Sequence, residues 1–419
     1  MNLNKFVYFF IVLFSISTYA QEIAGKWYGI LKVPSRDLSI VININKIENE
    51  YKSTLDSPDQ NSKSITVTNT SFENSILKFE ISNIKIEYQG TLQNDNTITG
   101  IFKQSGKTFI LNFLREEPKK QKSLGQYLNI KSMDIDLKGT ILIPENDKIK
   151  KLVVFVNGSG SSDRDEFVFA YRPFKDIAES LYAKQIASYR FDKRTFSNPK
   201  SLNDKSTIDD ETTNDIINVV NYFKKDSLFS DYEIIILGHS FGANIMPKIS
   251  NKSDRINKII LLAGNARPLT NLLVEQYEYL YKLTPTQELK DILQKTKEQV
   301  IFLNSKSFNL NTPKEKLPFN LSSYYWKSVL EYNPIKEIQK VKVPILILQG
   351  ERDYQVTIKD FELWKNALKN NKNATFIKYP KLNHFFVSGE GLPNPNEYNT
   401  KGNVDLKVIE DIFNFIIKT

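Results

Sequence analysis

The hydrophobic pattern divides the chain into two parts with different periods. From residue 21 to about residue 117, apolar and polar positions alternate in short runs, most cleanly over residues 38–44, and glycines and Asn-Asp pairs interrupt the runs. Alternation with a period of two predicts half-buried strands. We therefore expect residues 21–117 to form a small antiparallel β barrel or sandwich.

A charged stretch broken by proline begins the segment that we predict as a linker, residues 118–132, and the pattern changes after it. We expect a strand pair over 133–144, with Gly139 near its turn, and then helical segments between six apolar runs. Buried strands that alternate with helices indicate a mostly parallel sheet flanked by helices, which we assign to residues 133–419. The predicted strands are 152–156, 186–189, 234–237, 259–262, 345–348 and 375–379.

An aromatic-rich helical insertion, about residues 266–335, separates the fourth and fifth of these strands. An insertion at this point of such a sheet is typical of a lid over the active site. We predict that its inner face lines the substrate pocket, with ordinary core aromatics as the alternative.

The pentapeptide Gly238-His239-Ser240-Phe241-Gly242 directly follows an apolar run and opens a predicted helix. A G-x-S-x-G between strand and helix is typical of a nucleophile elbow, in which glycines allow a tight turn that exposes the serine hydroxyl. Ser240 is therefore the candidate nucleophile, and a tight turn without chemistry is the alternative. His239 is expected to pack or hydrogen-bond beneath the turn.

The chain has two histidines, and the second, His384, lies far downstream of the pentapeptide. Between them a buried strand is followed by Asp353. The order Ser240, Asp353, His384 is that of α/β-hydrolases, in which imidazole takes the serine proton and the carboxylate orients the imidazole. We predict a catalytic triad, although an isolated histidine and an aspartate after a strand are by themselves more often structural.

Hydrolysis through such a triad needs two backbone N–H groups directed at the developing oxyanion. One is expected from Phe241, which follows the nucleophile. The other is expected from the turn of small residues after the predicted strand 152–156. Its donor is expected to be Ser159 or, as the alternative, Gly160. A glycine turn without a catalytic part also fits this segment.

The amino-acid composition restricts the kinds of site and chemistry that the protein can have. The 419 residues are 40% hydrophobic and 25% charged, and the net charge of +9 arises from lysines scattered among acids, which does not indicate a nucleic-acid surface. The lack of cysteine excludes disulfides, a thiol nucleophile and thiolate metal ligands. With two histidines, one of them the candidate base, a histidine-rich zinc site is not expected. No phosphate-binding glycine loop is present, so we expect neither a cofactor nor a metal.

The N-terminus has the pattern of an export signal over residues 1–20. Lys5 precedes an apolar core at residues 6–16, and Thr18-Tyr19-Ala20 is a small-x-small cleavage site. We expect a periplasmic or extracellular mature protein without stable membrane insertion after signal cleavage. An uncleaved anchor is the alternative, but the apolar run is short for a span.

The region from about residue 133 to the end resembles the secreted bacterial α/β-hydrolases of the esterase and serine-aminopeptidase-like kind, many of which carry an N-terminal β domain. Four motifs carry the resemblance, with Ser161, Thr195 and Phe241 replacing a proline, a glycine and a glutamate of the family pattern. The resemblance implies Ser240, Asp353 and His384 as the triad and Ser159 and Phe241 as oxyanion donors. Phe241 is expected to make the pocket entrance more apolar. The motifs lie at residues 158–166, 189–194, 238–247 and 348–356 with 382–384.

Three functions fit these observations. The first is an exported serine esterase that cleaves a small-molecule carboxylic ester through an acyl-enzyme. The second is a serine peptidase of the aminopeptidase kind, which needs carboxylates near the pocket to bind a free amine; Glu275 and Glu278 in the insertion are candidates. The third is a ligand-binding module on the β domain with a subsidiary hydrolase.

Overall fold

The computed structural model describes residues 23–33, 36–48, 50–60, 62–93, 96–117 and 124–418. The predicted signal peptide lies outside the described residues. The chain separates into two compact units, Met1–Lys122 and Ser123–Thr419.

The described part of the first unit is a single antiparallel sheet of ten strands. Its strand order is β4-β3-β2-β1-β10-β8-β7-β6-β5, with β9 paired to β8. The strands are β1 Gly25–Val33, β2 Arg36–Ile47, β3 Glu50–Ser57, β4 Ser62–Thr66, β5 Asn69–Glu73, β6 Ile76–Ile81, β7 Ile86–Leu92, β8 Thr97–Gln104, β9 Lys107–Ile110 and β10 Phe113–Leu114.

The sheet curves around one core, which includes the fully buried Trp27 and Phe113. Its end strand β5 returns toward β3, where the Thr70 hydroxyl donates to Ser53 Oγ at 3.0 Å. Of the two architectures predicted for this region, the sheet therefore resembles a barrel. Strands β3 and β5 do not show the clean alternation seen over residues 38–44. In β3 the inward positions include the buried Ser53 and Ser57, which hide the alternation.

The second unit is built on an eight-stranded sheet of order β11-β12-β14-β13-β15-β16-β17-β18. Strands β13 to β18 pair in parallel, whereas β11 and β12 form an antiparallel edge. The bounds are β11 Gln126–Ser132, β12 Ile135–Leu142, β13 Lys151–Val156, β14 Ala187–Phe191, β15 Glu233–His239, β16 Lys258–Leu262, β17 Ile345–Gly350 and β18 Ala374–Tyr379.

Helices cover both faces of this sheet, which explains why its strands are apolar without alternation. In β13, Val153 and Phe155 pack into one apolar cluster, while Leu152, Val154 and Val156 pack into another. The fold class predicted from the sequence is confirmed. The helices are α1 Pro173–Ala183, α2 Arg194–Ser197, α3 Asn214–Lys225, α4 Phe241–Asn251, α5 Leu269–Leu283, α6 Gln287–Leu303, α7 Ser323–Glu331, α8 Pro334–Ile338, α9 Ile358–Ala367 and α10 Leu406–Ile417.

The start of the second unit differs from the expectation. Strand β11 lies inside the segment predicted as linker, and it pairs with β12 through a turn at Met133. Gly139 lies within β12 and not at a turn. A Cβ at Gly139 would stand 2.2 Å from the Tyr189 hydroxyl, so glycine is needed there for the close approach of that ring.

Asp176 in the first turn of α1 offers a test of stability against pH. Its carboxylate accepts a hydrogen bond from Val404 N–H at 3.1 Å, and burial raises its pKa to about 6. A raised folded-state pKa means that stability is lost as pH rises from the unfolded pKa of about 4 through 6. We expect Asp176→Asn, which keeps the acceptor without the charge, to raise Tm by about 2 °C above pH 7.

Calorimetry of this variant and the wild type across pH 4 to 8 checks that prediction. The gain should vanish near pH 4, where the wild-type carboxyl is protonated in the folded state. A gain that does not change with pH would contradict the assigned cause.

Candidate active site

Ser240 occupies the turn between β15 and α4 in a backbone conformation that side chains rarely adopt, with φ 53° and ψ −121°. Its N–H donates to the carbonyl of Leu262 on the neighbouring strand at 2.9 Å, which holds the turn against the sheet. Strained conformations of this kind persist only where the surroundings enforce them, and they are concentrated at functional sites. The turn has the geometry of a nucleophile elbow.

The two glycines of the pentapeptide make this turn sterically feasible. A Cβ on Gly242 would stand 2.3 Å from the carbonyl oxygen of Val156, and one on Gly238 would stand 2.8 Å from backbone atoms of Gly242. Both positions therefore require glycine, as the sequence pattern predicted.

Asp353 and His384 follow β17 and β18, so parallel strands bring them to the same edge of the sheet as Ser240. His384 Nδ1 lies 2.6 Å from Asp353 Oδ2, and both side chains are buried. This contact fixes the imidazole with Nδ1 toward the carboxylate and leaves Nε2 as the atom that is free to exchange a proton.

The Asp353 carboxylate is itself held by three further donors. Oδ1 accepts the backbone N–H groups of Gln355 and Val356 at 2.8 and 2.9 Å, and Oδ2 accepts from Gln349 Nε2 at 3.1 Å. The acceptor that faces His384 is therefore fixed in position. Gln349 lies in the quoted motif at 348–356, but sequence analysis assigned it no role, and the structure shows that it supports the Asp353 carboxylate.

Ser240 and His384 line one pocket of about 300 Å³. Within the described residues, no direct hydrogen bond joins Ser240 Oγ to His384 Nε2. Catalytic hydrogen bonds are commonly long in unliganded enzymes and shorten with substrate bound. The remaining lining residues are Gly158, Ser159, Ser161, Ser162, Glu166, Phe167, Val168, Phe169, His239, Tyr354, Gln355, Phe385, Pro395 and Tyr398.

One wall of this pocket is aromatic and uncharged. The rings of Tyr354 and Tyr398 stack at 6.4 Å, and Phe385 meets Tyr398 edge-on at 5.1 Å. Burial raises the pKa of Tyr354 to about 12 and raises that of Tyr398 far above its ordinary value. Both phenols therefore stay neutral at any pH at which an esterase is assayed.

The two predicted oxyanion donors lie beside the nucleophile. Ser159 lines the pocket, and Phe241 begins α4, so its N–H belongs to the unpaired first turn of a helix. In the part of the chain that the structure describes, no hydrogen bond uses either N–H. The Phe241 side chain is buried in the core and does not line the pocket, so the expected apolar entrance from Phe241 is wrong.

We call the turn at residues 157–166, which contains the predicted donor Ser159, the oxyanion turn. Two buried charged residues hold it at Gly158, and the sequence analysis assigned neither of them a role. Glu166 Oε1 accepts the Gly158 N–H at 2.8 Å, and Lys193 Nζ donates to the Gly158 carbonyl at 2.9 Å. Both residues belong to the quoted family motifs, which was the available signal, but spacing alone could not show that two motifs meet at one residue, Gly158.

His239 lies beneath the turn and hydrogen-bonds there, as predicted. Its Nε2 is 2.9 Å from the His384 carbonyl, and its Nδ1 is 3.1 Å from Glu166 Oε2. Burial lowers the pKa of His239, but the Glu166 carboxylate and the His384 carbonyl outweigh burial, and the net pKa is raised.

The predicted helical insertion is present as α5 to α8, but it does not line the described pocket. Its nearest contribution is at the rim, where Tyr279 stacks on Tyr354 at 5.0 Å and Gln276 donates to the Gln355 carbonyl. The prediction that its inner face lines the pocket is therefore wrong. The pocket walls come from loops after the strands and from residues 395 and 398.

Two general properties complete the site. Among the described residues, no group of three or more His, Cys, Asp or Glu side chains is arranged to hold a metal ion. No helix in the described ranges has both the length and the apolar character that crossing a bilayer demands.

Comparison with known proteins identifies a matching family and a similar relative. Residues 147–389 match the family described as serine aminopeptidase, S33. Esterase EstD of Thermotoga maritima is 32% identical over 318 residues, which cover 73% of each chain.

Two solved esterase structures are also similar to part of this chain. The Pyrococcus furiosus esterase Pf2001 superposes with a TM-score of 0.47 at 15% identity, covering 70% of this chain and 90% of that one. Est1E from Butyrivibrio proteoclasticus gives a TM-score of 0.47 at 18% identity, covering 70% and 100%.

Proposed function

Since the chain belongs to the serine aminopeptidase S33 family of α/β-hydrolases, we propose that it is a carboxylesterase that cleaves small neutral esters through an acyl-enzyme. One observation carries the proposal. Ser240 stands on a strained elbow in the same pocket as His384, whose Nδ1 is bonded to the buried Asp353. The 32% identity to an esterase supports the same choice.

In the proposed first half-reaction, His384 Nε2 takes the Ser240 proton as Oγ attacks the ester carbonyl carbon. The carbonyl oxygen becomes an oxyanion, which accepts hydrogen bonds from the N–H groups of Phe241 and Ser159. Asp353 stabilises the imidazolium. When the tetrahedral intermediate collapses, the C–O bond to the alcohol breaks and His384 gives its proton to the leaving alkoxide.

In the second half-reaction, water enters the position that the alcohol leaves. His384 removes a proton from this water as the water oxygen attacks the acyl carbon. The same two N–H groups hold the second oxyanion. Its collapse breaks the bond to Ser240 Oγ, which recovers its proton from His384, and the carboxylic acid is released.

The charges around the pocket favour an ester over a peptide with a free amino group. Glu166 is the carboxylate that lines the pocket among the described residues, and it is already bonded to the Gly158 N–H and faces His239. The sequence candidates are engaged elsewhere. Glu275 pairs with Arg267 and Lys359 at 2.6 Å each, and Glu278 pairs with Lys297 at 2.7 Å.

The pocket volume predicts the acyl preference. At about 300 Å³ the cavity lies at the lower end of the range for ligand sites. We expect kcat/KM for p-nitrophenyl acetate or butyrate to exceed that for the laurate ester by at least about 10-fold, and aminoacyl-naphthylamides to be poorer by about 100-fold or more. Initial rates on this panel with the purified protein check the prediction.

Labelling with a fluorophosphonate separates the remaining alternatives. The proposal requires covalent labelling that peptide mapping places on Ser240. A chain that is not labelled would favour the ligand-binding module, and a preference for naphthylamides would favour the peptidase.

We further propose that the protein is exported. The charged start, the apolar core and the small-residue site at residues 18–20 support this. In cells that make the full chain, N-terminal sequencing of the protein recovered from the periplasm or from the medium should begin at Gln21. A start at Met1 would contradict cleavage.

A further inference from the structure

Gly158, in the oxyanion turn, has both of its backbone polar groups held by charged side chains that the proposed proton transfers do not use. Glu166 Oε1 accepts the Gly158 N–H at 2.8 Å, and Lys193 Nζ donates to the Gly158 carbonyl at 2.9 Å. Glu166 and Lys193 are 4% and 3% exposed. Buried charges are costly, so the placement of two of them on the backbone of one residue calls for a reason.

The Lys193 contact determines the direction of the next N–H. In a trans peptide, the carbonyl of one residue and the N–H of the following residue point to opposite sides. The Gly158 carbonyl and the Ser159 N–H lie in one peptide plane and point in opposite directions. A carbonyl held by Lys193 therefore fixes the direction of the Ser159 N–H. Ser159 lines the pocket, and no hydrogen bond within the described ranges occupies its N–H.

This peptide also lies against the nucleophile. A Cβ built on Gly158 would be 3.3 Å from Ser240 Cβ and 3.4 Å from the His239 carbonyl oxygen. A rotation of the Gly158–Ser159 peptide would exchange an N–H donor for a carbonyl oxygen next to Ser240. An oxyanion cannot be stabilised by a carbonyl oxygen, so the orientation of this one peptide matters for the reaction.

The charge on Lys193 is balanced from a second element. Lys193 Nζ lies 2.8 Å from Oε1 of Glu211, which is buried in a π-helical turn, Asp209–Thr213. Single π-helical turns are frequent at functional sites. Glu166, on the other side, faces His239 Nδ1, while His239 Nε2 donates to the carbonyl of His384. The two charged contacts thus connect the turn to both the π-helical segment and the backbone of the proposed base.

We propose that Lys193, balanced by Glu211, is a positioning residue that holds the Gly158–Ser159 peptide with its N–H toward the oxyanion. This inference rests on the proposed function. Lys193 does not touch the substrate and does not exchange a proton with it. Its removal is expected to weaken binding of the tetrahedral oxyanion and to leave the nucleophile and the base in place.

The test compares the wild type with the double variant Lys193→Met/Glu211→Gln, which removes both charges so that neither is left unpaired in the core. We expect kcat/KM for p-nitrophenyl acetate to fall about 10- to 100-fold per active site, as counted by fluorophosphonate titration. The Ki of a trifluoromethyl ketone, whose adduct carries the oxyanion, should rise by a similar factor. The Ki of a product alcohol should change less than twofold.

A matched control comes from the adjacent residue. Arg194 is equally buried and pairs with Asp215 at 2.7 Å, but its contacts lie away from Gly158, on Asp215, Ser201 and Asp134. The double variant Arg194→Met/Asp215→Asn removes a buried ion pair of the same kind. We expect its folded fraction to keep the wild-type kcat/KM and ketone Ki.

The outcomes separate this inference from the proposed function. A wild type without esterase activity overturns both. If the wild type is active and the Lys193→Met/Glu211→Gln variant keeps its ketone Ki and kcat/KM within twofold, the positioning role alone is overturned. An equal loss of kcat/KM in the Arg194→Met/Asp215→Asn control overturns it as well. If the first double variant does not fold, Lys193→Gln takes its place. The glutamine side chain is one atom shorter than that of lysine, so it keeps a donor for Glu211 but no longer reaches the Gly158 carbonyl. We expect the same loss of kcat/KM and the same rise of the ketone Ki.

Discussion

Ser240→Ala is expected to lower kcat/KM for p-nitrophenyl acetate by about 10⁴- to 10⁶-fold and to abolish fluorophosphonate labelling. The hydroxyl oxygen is the atom that becomes acylated, and no other side chain can take its place on the elbow. The backbone at Ser240, with φ 53°, is held by the bond from its N–H to the Leu262 carbonyl and by the flanking glycines, all of which alanine keeps. The loss should therefore be chemical, without unfolding.

Steady-state rates over a range of substrate concentrations, circular dichroism and fluorophosphonate labelling together check this prediction. Ser250→Ala is the matched control, because Ser250 is the serine within α4 and lies outside the pocket. A Ser240→Ala protein that is folded and hydrolyses the ester within tenfold of the wild type would remove Ser240 as nucleophile and with it the proposed acyl-enzyme.

The sequence was sufficient to predict the central sheet because burial on both faces leaves a continuous apolar run. The residues of β17, for example, are all buried, and the predicted run at 345–348 lies inside the observed strand Ile345–Gly350. Strands that are polar or that lie at an edge give no such signal. In β11, which was missed, Ile130 and Ser132 are the buried positions, and pairing with β12 takes the place of an apolar pattern.

The site residues were predictable to the extent that their chemistry is local. The pentapeptide around Ser240 places glycines where the tight turn requires them, so its sequence predicts the turn. The chain has two histidines, which left His384 as the candidate base. The supports of the oxyanion turn are different. Glu166 and Lys193 meet at Gly158 because two loops converge after folding, and charged residues in loops are ordinarily assigned to solvent.

The helical insertion shows a related limit of prediction from sequence. Its helical segments were predictable from sequence, but the direction of its aromatic face was not, because several packing surfaces compete for the same rings. Trp326 is fully buried in the main core, while Tyr279 stacks on Tyr354 at the pocket rim. An amphipathic pattern indicates that a face is covered without indicating what covers it.

The second large loss of activity is expected for Asp353→Asn. The hydrogen bonds that hold Asp353 determine how the amide of asparagine would be oriented. Oδ1 accepts two backbone N–H groups, so Asp353→Asn must keep its oxygen on that side and turn its NH₂ toward His384 Nδ1. Two donors cannot face each other, so His384 would carry its proton on Nε2 and could not accept the Ser240 proton. We expect kcat/KM for p-nitrophenyl acetate to fall about 10⁴-fold.

The rate of fluorophosphonate labelling should fall with kcat/KM, because both depend on the same proton transfer from Ser240. Asp176→Asn is the matched control: it makes the same substitution at a half-buried aspartate that bonds Val404 N–H, outside the pocket, and should keep the wild-type rate. The amide at 353 also places its NH₂ against Gln349 Nε2, so some loss of Tm is expected. If folded Asp353→Asn loses less than about tenfold, the carboxylate does not set the tautomer of His384, and the base must be oriented by its carbonyl contact with His239 instead.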